Sequence, residues 1–113
     1  MKVIDVFQQY YAGSCEVNGR PRHGADVRLT ATSDSGQIRY DVSVNFFPHD
    51  TPEDWSISYD GFYSVTVYDA PGRRARGRER SLLAKLMATV DRLAAEHGGK
   101  VDWEHPLREA RIG

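Results

Sequence analysis

One stretch of this chain has a period, a start and a stop that agree: Ser81 to His97, SLLAKLMATVDRLAAEH. Leu82, Leu83, Leu86, Met87, Val90, Leu93 and Ala94 recur at three- and four-residue steps, which places them on one side of a 3.6-residue helix. Lys85, Thr89, Asp91, Arg92 and Glu96 fall mostly on the other side. Gly98-Gly99 follows directly, where glycine commonly takes the left-handed cap. So apolar a face needs a floor, and the rest of the chain must supply it.

The floor is legible from Ala25 onward, where the period changes to two. Val27, Leu29 and Ala31 alternate with Asp26, Arg28, Thr30 and Thr32. After a turn at Asp34-Ser35-Gly36, Ile38, Tyr40, Val42, Val44 and Phe46 alternate with Arg39, Asp41, Ser43 and Asn45. Such alternation marks an antiparallel hairpin with one buried and one wet face. Phe47 to Asp54, with two prolines, cannot continue a ladder. A second hairpin is expected beyond it. A three-residue connection, Asp60-Gly61-Phe62, pairs Trp55 with Val67, Ile57 with Val65 and Tyr59 with Tyr63, which makes one face apolar throughout. Phe62 then lies at a turn tip, at least partly exposed.

The ends are less regular. In Met1 to Gly13, Val3, Val6, Phe7, Tyr10 and Tyr11 have helical spacing, although their types favour strands. The spacing is given the greater weight, and a short helix is expected. Cys15 to Val17 fits a short strand, Gly19 to Gly24 a loop, and Lys100 to Glu104 an edge strand with Val101 and Trp103 pointing the same way. The expected fold is α+β: a four-stranded antiparallel sheet from two hairpins, one face covered by the long C-terminal helix and a short N-terminal one. The ending LAAEHGGKVDWE, residues 93 to 104, resembles the helix, glycine turn and aromatic-acidic strand of proteins related to the ribonuclease E inhibitor of bacteria. No property of that family is carried over.

At 113 residues the chain is read as a single domain, and 40% hydrophobic with 27% charged residues is too apolar for disorder. A lone cysteine, Cys15, excludes an intrachain disulfide and a cysteine cluster for zinc, which fits a reducing compartment. With no secretory or membrane-spanning pattern, the cytoplasm is the expected location. The net charge of -1 hides an asymmetry. Residues 1 to 70 hold five Lys/Arg against ten Asp/Glu, whereas residues 71 to 80 hold five arginines against Glu79.

That basic run, Arg73, Arg74, Arg76, Arg78 and Arg80, is the first candidate site. Arginine forks suit phosphates and carboxylates. The loop residues His49, Asp50, Glu53 and Asp54 are the second, and Phe62 the third. His49 with the arginines offers a general acid-base set for a small nuclease-like enzyme. The arginines alone offer a nucleic-acid-binding module, although ten upstream acids oppose a polyanion. No nucleophile elbow, phosphate loop or dinucleotide fingerprint is present, so no cofactor is expected, and the histidines lack metal-ligand spacing. The favoured reading is a non-catalytic binding protein, an inhibitor or immunity-type protein that masks a charged surface of a protein partner.

Overall fold

The computed structural model describes residues 1–48 and 59–104. In chain order they form β1 (Lys2–Val17), β2 (Arg20–Asp34), β3 (Gln37–Phe47), a 3-10 turn at Tyr59–Gly61, β4 (Phe62–Pro71), α1 (Arg76–Glu96) and β5 (Lys100–Val101). The fold is α+β, and the described residues build one antiparallel sheet of five strands in the order β4-β3-β2-β1-β5. The expected hairpin of β2 and β3 is present, with Val27 opposite Val44 and Leu29 opposite Val42, but its ladder runs on to Phe47 opposite Gly24, one residue past the point where it was expected to stop, because the prolines come only after Phe47. Its turn residues, Ser35 and Gly36, both have positive φ, 52° and 80°, the twist that suits a two-residue hairpin.

The N-terminal segment is a strand and not a helix. β1 pairs along most of its length with β2 through a second tight turn, Asn18-Gly19, with φ 53° and 75°. Gly19 to Gly24 is accordingly the turn and the first residues of β2, not a loop. A bulge between Asp5 and Phe7 lets Val6 and Phe7 both be buried, at 1% exposure each. A second irregularity lies between Ala12 and Cys15, where Gly13 and Ser14 instead face Val101 and Lys100 of β5. The sheet therefore has five strands where four were expected. In the second expected hairpin, Phe62 is the first residue of β4 and not a turn tip, and Tyr59 is not the strand partner opposite Tyr63. β4 instead pairs with β3, Val65 opposite Val42 and Tyr63 opposite Val44, and Tyr59 belongs to a 3-10 turn. Trp55 and Ile57 lie outside the described residues.

α1 covers the apolar face of the sheet. Leu86, Val90 and Ala94 are fully buried against Val27, Leu29, Val42 and Val44, and Leu82, Leu83 and Leu93 flank them. Thr89, expected on the outer side, is buried as well. The helix begins at Arg76, five residues before Ser81, and it has no side-chain cap at Ala75. At its other end Gly98, with φ 74°, donates to the Ala95 carbonyl and Gly99 to that of Ala94, the two bonds of a Schellman cap. Gly99 is required for space. A Cβ there would lie 1.5 Å from the Ser14 carbonyl oxygen, so only glycine lets the chain leave the helix against β1. β5 then buries Val101, and Trp103 packs edge-on to Tyr11 at 4.8 Å.

Candidate functional site

The start of α1 gathers the arginine run at the end of the molecule where the β2–β3 hairpin turns and β4 stops. Including Arg76 to Arg80 in the helix places Glu79 in its first turn, facing inward, and that single carboxylate sorts the arginines. Glu79 is 1% exposed and accepts from the Tyr40 hydroxyl at 2.7 Å and from Arg74 Nε and Nη2 at 2.9 and 3.1 Å. Burial pushes its pKa up, but the hydrogen bonds from Arg74 and Tyr40 and the charges of Arg74 and Arg76 outweigh it, leaving the carboxyl below its ordinary value. Tyr40 is moved the other way, its phenol held protonated by burial and by the bond to Glu79.

Arg74 is thereby committed to the interior. Arg78 is engaged too: its guanidinium lies 4.5 Å from the Tyr68 ring centre and its Nη1 donates to the Arg73 carbonyl at 3.5 Å. Arg73, Arg76 and Arg80 are exposed, and among the described residues none of the three forms an ion pair. The run expected as one collar is thus two structural and three outward-facing cations. Pure composition could not sort them, because the sorting depends on where the helix begins.

Phe62 is 52% exposed at the first residue of β4, opposite Asn45. It does not join the arginines. Nine residues of extended chain, roughly 30 Å, separate the Phe62 end of β4 from its Pro71 end. His49, Asp50, Glu53 and Asp54 lie outside the described residues. His97, at the helix C-cap, has its ring 4.7 Å from that of Tyr63. Among the described residues no group of three or more His, Cys, Asp or Glu side chains is placed to hold a metal ion. No described helix is long and apolar enough to cross a membrane. Cys15 is buried, and burial pushes its thiol pKa up, with the Arg22 charge pulling weakly the other way.

The wet sheet face is built from the alternate residues of four strands. Its carboxylates are tied down in the plane of the sheet. Asp5 and Asp26 accept from Arg28, Asp41 accepts from Arg39 at 3.0 Å and from Thr66 at 2.6 Å, and Asp69 accepts from Gln37. Arg22 was not singled out in the sequence, yet it is 2% exposed, bonded to the Phe46 carbonyl at 3.2 Å and to Asp60 at 2.9 Å. The signal available for it was Asn18-Gly19, a strong hairpin dipeptide that puts Arg22 inside a strand. No protein-family model, curated protein or solved structure matches this chain, so its chemistry is read from its own residues.

Proposed function

We propose that the chain is a non-catalytic binding protein of inhibitor or immunity type, which sets the basic end of its helix against an acidic surface of a protein partner. The observation that supports this is the division among the arginines. Arg74 and Arg78 are satisfied within the fold, whereas Arg73, Arg76 and Arg80 are exposed and form no ion pair among the described residues, although the Arg76 charge reaches Glu79. Elsewhere on the described surface the carboxylates of the sheet face are held by Arg28, Arg39, Thr66 and Gln37, so their fields are damped locally. The three arginines without ion pairs share one end, where the positive pole of the helix dipole adds to their charge. Charge distributed in this way steers encounter and rejects partners of the same sign.

The test is association kinetics with a partner captured from the native host at fixed stoichiometry. Replacing Arg73, Arg76 and Arg80 together by glutamine should slow association about tenfold at an ionic strength of about 0.01 M. The difference should shrink toward none near 1 M, where charges are screened within about 3 Å. Equal rates for the two proteins at low salt would remove the proposal.

A further inference from the structure

The cleft beside the arginines is bounded by residues that are far apart in sequence. The start of β1, the turn between β2 and β3, and the chain leaving β4 together border an open cleft of about 560 Å³, with Lys2, Ser33, Gln37, Gly72, Arg73 and Arg74 on its walls. Its shape is fixed by backbone. The Gly72 amide donates to the Gly36 carbonyl at 2.8 Å, which clamps the hairpin tip to the end of β4. A preformed cleft spares a ligand much of the ordering cost of binding.

The walls carry an excess of positive charge. Arg74 is balanced by Glu79. Lys2 and Arg73 have no ion pair among the described residues, and the one acidic wall residue, Asp34, is exposed and accepts from the Ser35 hydroxyl at 3.3 Å. Lys2 lies outside the arginine run, and only the pairing of Lys2 with Ser33 brings it here. A guanidinium fork and an ammonium on two walls of one cleft suit an oxyanion, since the fork binds it with two parallel bonds and the ammonium adds a point charge.

We infer that this cleft is an oxyanion-binding site and that, resting on the proposed function above, the oxyanion it takes is a side-chain carboxylate of the protein partner. The site is separable from long-range steering, because Lys2 belongs to the cleft alone and Arg76 and Arg80 to steering alone, while Arg73 serves both.

The experiment follows backbone amide shifts of the isotope-labelled full chain during titration with three probes: inorganic phosphate, acetyl-Glu-Glu-amide and acetyl-Gln-Gln-amide. The diglutamate should give saturable shifts confined to residues 33 to 37 and 72 to 74. Lys2→Gln and Arg73→Gln should each weaken it roughly tenfold, the loss of one charge-assisted hydrogen bond, while their unchanged remaining amides show an intact fold. Shifts absent with both anions, or equal with the diglutamine, would overturn the site. Saturation by phosphate without response to diglutamate would overturn the carboxylate and point to a phosphate ligand. The two readings fail separately. A cleft that binds diglutamate in a protein whose partner association is unchanged by Arg76→Gln with Arg80→Gln, which leave Arg73 in place, keeps the site and removes the proposed function. A silent cleft with slowed association does the reverse.

Discussion

Glu79 is the residue on which the basic end depends. It is the carboxylate that lets a helix start among arginines, joining the first turn of α1 to Tyr40 of β3 and to Arg74 in the preceding loop. Removing one partner from a buried hydrogen-bonded group costs more than the net worth of the bond, so Glu79→Ala should destabilise by about 1 to 3 kcal/mol. Tyr40→Phe leaves Glu79 still bonded to Arg74 and should cost less, about 0.5 to 1.5 kcal/mol. Chemical denaturation that ranks them in the opposite order would show that the Tyr40 hydroxyl, and not the carboxylate, anchors the turn. The pH dependence has a definite sign. The folded-state pKa of Glu79 lies below its ordinary value of 4.5, so its contribution is complete above that value and is lost as the pH falls through the folded one. Glu79→Gln should therefore flatten the loss of stability on acidification below about 4.5. An unchanged slope would mean that other carboxylates carry it.

Elements were legible where one period held and obscured where it broke. The β2–β3 hairpin alternates without interruption from Ala25 to Phe46 and was readable there, whereas its ends, Arg20 to Gly24 and Phe47, were hidden by neighbouring glycine and proline. β1 was not readable, because its bulge at Val6 buries two successive residues. The resulting series Val3, Val6, Phe7, Tyr10, Tyr11 has helical spacing although the backbone is extended. The outcome shows in the burial: Phe7 and Tyr11 face the core, while Val3 and Tyr10 are 57% and 41% exposed on the wet face. The helix was found from its apolar stripe, but its first turn carries little apolar residue and reads as a charge run until Glu79 is seen to point inward. The glycines of α1 and its cap give a paired test. Gly77→Ala meets nothing within 4 Å and should stabilise by up to about 1 kcal/mol through helix propensity. Gly99→Ala drives a methyl into the Ser14 carbonyl and should cost about 1 to 3 kcal/mol. It should also lower hydrogen-exchange protection at the amides of Glu16 and Asp102, which bond across the same crossing. Two substitutions of one sign would mean that the β1 and β5 backbones separate freely.

Across the whole molecule, charge does two different jobs, and exposure tells them apart. On the wet face Arg28 reaches Asp5 and Asp26, yet its side chain is 38% exposed and water competes for each partner. At the far end of the same strand Arg22 is 2% exposed. It fastens the 59–61 turn to the sheet by bonding Asp60, itself held by Asn18 at 3.0 Å. The packing there is close: a Cβ at Gly61 would lie 2.2 Å from the Phe46 carbonyl oxygen, the same oxygen that Arg22 bonds. Arg22→Met keeps most of the apolar volume but removes the donor to that carbonyl and one of the donors to Asp60, a loss of about 1 to 3 kcal/mol. Arg28→Met removes pairs in which the arginine is solvent-accessible and should stay within about 1 kcal/mol. Raising the ionic strength from about 0.1 M to 1 M should erase the Arg28 difference, because the screening length falls from about 10 to 3 Å, and leave the Arg22 difference in place. Denaturation at both salts measures all four values. A comparable salt response for the two arginines would mean that Arg22 is reached by solvent and that the turn carrying Asp60 and Gly61 is not fastened to the sheet as described.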